Sequence, residues 1–200
     1  MMARSKVGIL AVQGAFAEHE AVVRRLGADF KELRQASDLD DGIDRLILPG
    51  GESTSQGRIL RDLGMLDRIR QLIESGMPVL GTCAGLILLA QSIDQVNGDG
   101  STVDEQHNST WLKTLPVTVR RNAYGRQLGS FHTEAEFAGL GTIPMTFIRA
   151  PFITQVGDGV ETLAEVDGEV VAVRYKNQLG TSFHPELDDD ARIHQMLLSM

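Results

Sequence analysis

The only cysteine of the chain lies in the sequence Gly81-Thr82-Cys83-Ala84-Gly85, between a short predicted strand at 78–80 and an apolar predicted helix at 86–90. The pattern Gly-x-Cys-x-Gly is the thiol version of a nucleophile elbow, a tight turn in which small flanking residues expose the central side chain. The backbone N–H of Ala84 then lies at a helix N-terminus, where it favours a thiolate or a developing oxyanion. The spacing alone also fits an inert cysteine, because free cysteines are most often small buried hydrophobic residues.

A histidine and a glutamate lie two positions apart in the sequence Thr181-Ser182-Phe183-His184-Pro185-Glu186, at the end of a predicted strand. Side chains at positions i and i+2 of an extended chain point the same way, so Glu186 is able to hold the His184 ring and fix its tautomer. The long separation from Cys83 is normal for a catalytic triad that the fold assembles. The same residues also fit a strand-end histidine beside a proline turn and a solvated glutamate.

Six motifs follow one another along nearly the whole chain and together carry a resemblance to one family. They are Leu10-Ala11-Val12-Gln13-Gly14, Leu48-Pro49-Gly50-Gly51-Glu52-Ser53-Thr54, Gly81-Thr82-Cys83-Ala84-Gly85-Leu86, Arg120-Arg121-Asn122-Ala123-Tyr124-Gly125-Arg126-Gln127, Phe147-Ile148-Arg149-Ala150-Pro151 and Ser182-Phe183-His184-Pro185-Glu186-Leu187. The chain resembles the class I (triad) glutamine amidotransferases, and most closely the glutaminase subunits of pyridoxal 5'-phosphate synthase. The third and sixth motifs would fit the whole class, whereas the second, fourth and fifth point to this subfamily.

The resemblance implies hydrolysis of the side-chain amide of L-glutamine to glutamate and ammonia by Cys83, His184 and Glu186. Cys83 would attack as a thiolate, and His184 would keep the thiol deprotonated and then donate a proton to the departing ammonia. The backbone N–H groups of Gly51 and Ala84 would form the oxyanion hole.

The resemblance also brings several residues to the glutamine itself, namely Gly51, Glu52, Ser53, Arg121, Ile148 and Arg149. An arginine in the pocket would suit the substrate carboxylate, because a guanidinium binds a carboxylate in a two-pronged geometry. Which of the two arginines does so stays open, since either would also serve in a structural ion pair. Gln13 is a candidate for contact with a partner or with the oxyanion loop.

A partner subunit follows from the same resemblance. Free ammonia would be protonated or lost in bulk water, so we expect the synthase subunit that builds pyridoxal 5'-phosphate to dock over the exit and form a hetero-oligomer. The five histidines are scattered and the only thiol is already assigned, so no metal site is predicted. No Gly-x-Gly-x-x-Gly follows the first predicted strand, so no dinucleotide or other cofactor is expected.

The composition limits the classes of partner and compartment. The chain has 200 residues and a net charge of −8, with no dense basic block, so neither nucleic acid nor an anionic membrane is an expected partner. No apolar run reaches the 18 residues that a membrane helix needs. A single cysteine cannot form an internal disulfide, which favours the reducing cytoplasm.

Hydrophobic patterning predicts an α/β fold with a mostly parallel, flavodoxin-like sheet flanked by helices and antiparallel additions in the second half. The predicted strands are 7–12, 29–33, 45–48, 117–120, 127–132, 145–149, 161–166, 169–175 and 179–183, and the other predicted helices are 16–26, 65–73 and 189–200. Asp167-Gly168 predicts a two-residue hairpin turn. We expect a single amidotransferase domain over 1–200, in which a polar segment at about 94–114 forms a mobile surface loop.

Two other functions remain open at this point. The chain would also fit a stand-alone cysteine hydrolase of similar architecture that acts on another amide or on a γ-glutamyl bond. It would fit a non-catalytic flavodoxin-like module as well, in which the cysteine and the His-Pro-Glu segment are structural.

Overall fold

The computed structural model describes residues 5–96, 100–102, 109–121 and 129–200. The strands in these ranges are β1 (Lys6–Leu10), β2 (Asp29–Leu33), β3 (Arg45–Leu48), β4 (Val79–Thr82), β5 (Ala90–Ile93), β6 (Leu115–Arg120), β7 (Ser130–Phe137), β8 (Gly141–Ile148), β9 (Phe152–Val156), β10 (Glu161–Val166), β11 (Glu169–Tyr175) and β12 (Gln178–Thr181). The α-helices are α1 (Phe16–Arg25), α2 (Ser53–Asp62), α3 (Leu66–Glu74), α4 (Ala84–Leu89) and α5 (Arg192–Ser199). Short 3-10 helices cover Ala36–Asp40 and Pro185–Leu187.

One large mixed sheet organises the described part of the chain, in the order β2-β1-β3-β4-β12-β11-β9-β6-β5, with β10 paired to β11. The strands from β2 to β12 in this order are parallel to one another. These parallel strands are short apolar runs because both faces of the sheet are covered. In β3, for example, Leu46 and Leu48 belong to one hydrophobic core and Ile47 belongs to the other.

The two cores lie on opposite faces of this sheet. One core contains apolar side chains of α2, α3 and α4, and the other contains those of α1, α5 and the antiparallel β7–β8 hairpin. Strands β6, β9, β10 and β11 add antiparallel pairs, and β5 pairs with β6 in parallel. The mostly parallel α/β architecture with antiparallel additions in the second half is therefore confirmed.

The hairpin between β10 and β11 turns at the two residues that the sequence indicated. Asp167 has φ 55° and Gly168 has φ 82°. Positive φ at both central residues is the requirement of a type I′ turn, whose twist matches that of the flanking strands.

Several elements differ from the predictions. Helix α2 and strands β5 and β9 were not predicted. Helix α2 has few apolar residues to mark its period, because its buried side includes Ser53, Thr54 and Gln56. The predicted 127–132 strand begins at Ser130 and runs on to Phe137, while 127 and 128 lie outside the described residues.

The predicted 94–114 loop is in part core structure. Trp111 and Leu112 are buried, and the Leu112 N–H donates to the Leu88 carbonyl oxygen at 2.9 Å. The Trp111 ring packs so closely on α2 that a Cβ at Gly57 would lie 2.1 Å from it. Val96 and Thr102 form an antiparallel bridge, and 97–99 and 103–108 lie outside the described residues. The loop interpretation is thus wrong for 111–112, whose two apolar side chains are buried in the α2, α3 and α4 core.

Parallel strands bring their carboxyl ends to one edge of the sheet, where α/β folds place their sites. The segments that follow β1, β3, β4 and β12 contain Gln13, Gly51, Cys83 and His184. The sheet topology therefore gathers four of the predicted motifs.

Candidate active site

Cys83 lies in the elbow between β4 and α4 with φ 50° and ψ −101°. Its N–H donates to the Thr181 carbonyl oxygen at 2.8 Å, and its own carbonyl accepts from the Ile87 N–H at 3.2 Å. A Cβ at Gly85 would lie 1.9 Å from the Leu48 carbonyl oxygen. The glycine therefore allows α4 to lie directly against β3, while the cysteine itself adopts the unusual backbone conformation of the turn.

His184 and Glu186 follow β12 and form a short hydrogen bond. The Nδ1 of His184 lies 2.7 Å from the Oε1 of Glu186, and the Glu186 side chain is fully buried in the 3-10 helix. The His184 N–H donates to the Thr146 carbonyl oxygen at 2.8 Å, which fixes the backbone that carries the ring. These contacts fix the His184 ring beside the Glu186 carboxylate.

The pKa of His184 favours a protonated ring at this position. Burial is the largest influence on its pKa and lowers it, but hydrogen bonding to Cys83 and Glu186, together with their charges, outweighs burial and raises the pKa to about 10. Burial likewise raises the pKa of Glu186, but the nearby His19 and His184 more than offset it, so the net pKa of Glu186 is lowered. The arrangement therefore favours a protonated His184 imidazole beside an ionised Glu186 carboxylate.

Residues 49–52, which follow β3 and are the predicted oxyanion loop, pack against the loop after β1. A Cβ at Gly50 would lie 2.3 Å from Cε1 of His184, and a Cβ at Gly14 would lie 1.9 Å from the Gly50 carbonyl oxygen. The Ala15 N–H donates to the Gly50 carbonyl at 3.1 Å. Because a trans peptide points its C=O and N–H in opposite directions, the Gly51 N–H faces away from the β1 loop.

Gln13 and Glu52 connect these loops to α2. The Oε1 of Gln13 accepts from the Glu52 N–H at 2.9 Å. The Glu52 carboxylate caps α2 by accepting from the Thr54 and Ser55 N–H groups at 2.9 and 2.7 Å, and it accepts from Arg121 at 3.0 Å. Burial raises the pKa of Glu52, but these hydrogen bonds outweigh it and lower the pKa to about 2. The position of the oxyanion loop thus depends on the α2 cap.

A cavity of about 500 Å³ lies over these groups. Its lining residues are Gln13, Ala15, Gly50, Gly51, Glu52, Ser53, Cys83, Ala84, Ile87, Arg121, Ile148, Arg149, Pro151 and His184. The structure brings together every predicted site residue except Glu186, which lies behind His184. In the described ranges no group of three or more His, Cys, Asp or Glu side chains is placed to hold a metal ion. No helix in those ranges is long and apolar enough to cross a membrane.

Two buried histidines near the triad were not singled out from the sequence. His19 in α1 and His194 in α5 have no solvent exposure, and His19 lies beside Glu186. The only sequence signal for His19 is its helical spacing with Val22 and Val23, at i+3 and i+4 on the buried face of α1. That spacing places His19 in a core but does not predict which residue of a distant segment it meets.

Comparison with known proteins establishes the family. Residues 9–200 match the sequence model of the SNO glutamine amidotransferase family. The chain belongs to this family. The resemblance stated from the six sequence motifs is thereby confirmed.

Relatives of this SNO amidotransferase match it over nearly their whole length. A protein of Desulfitobacterium hafniense, named pyridoxal 5'-phosphate synthase subunit PdxT, is 56% identical over 193 residues, which are 96% of this chain and 92% of the relative. A Streptococcus pneumoniae protein of the same name is 54% identical over 198 residues, 98% of this chain and 97% of the relative. A crystal structure described as a glutamine amidotransferase is 42% identical, with a TM-score of 0.86 and coverage of 96% of this chain and 97% of the other.

Proposed function

We propose that this chain is the glutaminase subunit of a pyridoxal 5'-phosphate synthase, which hydrolyses L-glutamine and delivers the ammonia to a synthase subunit for vitamin B6 synthesis. Full-length similarity to two proteins named as subunits of that synthase supports the assignment. The observation that carries the chemistry is that Cys83 and His184 line the same cavity, with Glu186 hydrogen-bonded to His184 behind it.

In the first half of the reaction, the Cys83 thiolate attacks the amide carbon of glutamine. The carbonyl electrons move onto oxygen, and that oxyanion accepts hydrogen bonds from the Gly51 and Ala84 N–H groups. The tetrahedral intermediate then collapses, the C–N bond breaks, and protonated His184 gives its proton to the leaving nitrogen. Ammonia leaves, and a glutamyl thioester remains on Cys83.

In the second half, water attacks the thioester while His184, now neutral, takes a proton from it. The C–S bond breaks, glutamate forms, and the thiolate returns beside the imidazolium. Glu186 stabilises that imidazolium through its hydrogen bond to Nδ1. The raised pKa of His184 keeps the ring protonated in the resting site, so a proton is in place for the leaving nitrogen.

The substrate's own charged groups would bind at the other side of the cavity. Gly51, Glu52 and Ser53 line the cavity at the start of α2, and Arg121, Ile148 and Arg149 also line it. We assign the glutamine backbone to this region, with the guanidinium groups as the candidates for its carboxylate. Arg121 is held by Glu52 and Thr54, so its guanidinium is already oriented at the cavity wall.

Ammonia transfer requires a partner over the cavity, so we assign the chain to a hetero-oligomer with the synthase subunit. We also assign it to the cytoplasm, where the single free cysteine would stay reduced. A stand-alone hydrolase of the same architecture would turn over without that partner.

The nucleophile assignment is tested by Cys83→Ala. Glutamine hydrolysis should be lost by at least about a thousandfold, because the variant retains binding and the oxyanion hole but has no nucleophile. The complex of this variant with the synthase subunit should still make pyridoxal 5'-phosphate from ammonium salt. Glutamate release at the wild-type rate from a correctly folded variant in complex would rule out the triad.

A further inference from the structure

Two buried histidines, His19 and His194, lie behind the triad, on the side of Glu186 away from His184. The Nε2 of His19 lies 3.4 Å from the Oε2 of Glu186 and 3.2 Å from the Thr82 hydroxyl oxygen. The Nδ1 of His19 lies 2.8 Å from the Nε2 of His194. Neither histidine lines the cavity, so neither meets the substrate.

The two buried histidines lie where the Glu186 carboxylate has an oxygen without a hydrogen bond among the described residues. Its Oε1 is held by His184, whereas Oε2 is buried and has no hydrogen bond among the described residues. A bare oxygen of a buried carboxylate is costly and favours protonation of the group. Of the donors that the structure places near Oε2, the Nε2 of His19 is the one at ion-pair distance.

The contacts also select the tautomers. If His194 donates its Nε2–H to Nδ1 of His19, then His19 carries its proton on Nε2 and presents an N–H to the carboxylate and to Thr82. In the opposite arrangement, His19 would present a lone pair to the carboxylate. His194 would then carry an N–H on Nδ1, which has no partner among the described residues. The first arrangement avoids the repulsion between a His19 lone pair and the carboxylate, whereas the Nδ1 of His194 lacks a described partner in both arrangements.

Both histidines are suited to act as neutral donors. Burial is the main influence on each ring and lowers the pKa of His19, and it lowers the pKa of His194 to about 3. The other titratable groups that act on this pair are Glu18 and His184 on His19, Arg25 on His194, and Glu186 on both. A neutral imidazole supplies the N–H without adding a second buried positive charge beside His184.

We propose that His19 is a positioning residue for the triad, whose Nε2–H stabilises the ionised Oε2 of Glu186 from 3.4 Å while His194 fixes its tautomer. The effect on catalysis passes through Glu186: an ionised, oriented carboxylate stabilises the His184 imidazolium, which in turn stabilises the Cys83 thiolate. This role deepens the proposed glutaminase function and rests on it, because His19 affects catalysis only if Cys83, His184 and Glu186 act as a triad.

The single cysteine allows a test that needs neither glutamine nor the partner. The rate of Cys83 alkylation by iodoacetamide is measured against pH in the whole chain, because the thiolate is the reactive form. His19→Leu, which removes the donor, should move the midpoint of this profile to higher pH by about half a unit or more. His19→Gln, whose amide is able to donate from nearly the same place, should restore much of the wild-type midpoint.

Two controls separate positioning from a general structural effect. His132→Leu removes an exposed histidine that contacts Thr146 and Asp188 instead of Glu186, and it should leave the midpoint unchanged. In a Glu186→Gln background, His19→Leu should shift the midpoint no further, because its route of action is gone. An unchanged midpoint in His19→Leu, or an equal shift in the Glu186→Gln background, would overturn the proposal.

A measurement on the unaltered chain decides the question if His19→Leu does not fold. Nitrogen-15 NMR of the imidazole rings should show His19 and His194 as neutral Nε2–H tautomers near pH 7. An Nδ1–H tautomer at His19 would overturn the proposal. The alkylation midpoints could shift as expected while the unaltered chain, assayed with the synthase, releases no glutamate. That outcome would contradict the glutaminase function and leave the positioning role of His19 intact.

Discussion

Cys83 is held in a backbone conformation that residues with a Cβ rarely adopt, with φ 50° and ψ −101°. Such a conformation costs about 1–3 kcal/mol and persists only where the surroundings fix it. Here the hydrogen bonds from Cys83 to Thr181 and from Ile87 to Cys83 hold both sides of the residue. The strain is stored at the position from which the thiol lines the cavity.

At the residue scale, His184 and Glu186 should make unequal contributions. His184→Ala removes thiol activation and proton donation, so we expect a loss of glutaminase rate of about a thousandfold, near that of Cys83→Ala. Glu186→Gln should lose less, because an amide partly keeps the geometry but no longer stabilises the imidazolium. Steady-state kinetics should show that the double variant resembles the worse single variant. Multiplied losses would mean that the two residues act independently.

The raised pKa of His184 also predicts how stability varies with pH. Burial lowers this pKa, but the contacts with Cys83 and Glu186 outweigh it, so the folded value of about 10 exceeds the unfolded value. The resulting stabilisation is complete below about pH 6.5 and is lost as pH rises towards the folded value. Urea unfolding should therefore show that the stability advantage of wild type over His184→Gln shrinks from pH 6.5 upwards. A constant or growing difference would contradict the charged pair.

At the scale of elements, the elbow depends on how closely α4 approaches β3. Gly85→Ala would place a Cβ 1.9 Å from the Leu48 carbonyl oxygen, which is rigid backbone. We expect a loss of about 1–3 kcal/mol in the free energy of unfolding, as for other overpacked sites. Gly129→Ala is the matched control, because its Cβ would meet only the Arg149 side chain at 3.9 Å. Equal stability of the two variants in urea unfolding would show that α4 is able to move away from β3.

Sequence patterns predicted best the elements whose local chemistry agrees with their environment. The β10–β11 hairpin has its turn residues at Asp167 and Gly168 and is confirmed with its boundaries. Helix α2 was missed because it begins at a cap formed by Glu52 and its buried side includes polar residues, so few apolar residues mark its period. Trp111 was assigned to a loop because its partner, Gly57, lies far away in the sequence.

In the candidate site, too, residues with a local sequence signal were predicted, and a contact between distant segments was not. Cys83 and His184 were found because an elbow and a strand end are local signals, and the motifs placed Gly51 and Arg121 beside them. The contact of His19 with Glu186 joins α1 to the segment after β12. No local pattern specifies that contact, so only the assembled sheet shows it.

At the scale of the whole molecule, the loops after β1 and β3 form one unit at the sheet edge. Gln13 binds the Glu52 N–H, and the Gly50 carbonyl accepts from Ala15. A partner that docks on the β1 loop would therefore act on the oxyanion loop without touching the triad. Glycines at 50 and 51 allow the peptide between them to change its orientation at little cost.

In the proposed function, this chain is a glutaminase whose activity depends on a docked synthase subunit. The most direct measurement is steady-state glutamate release at increasing synthase concentration, with complex formation followed separately. We predict low activity for the chain alone and a rise of at least about tenfold on saturation, since a coupling of about 1.4 kcal/mol gives that factor. Gln13→Lys should weaken the rise more than it lowers the melting temperature, and Cys83→Ala should abolish glutamate release. A flat response in a confirmed complex would contradict the account and favour a stand-alone hydrolase.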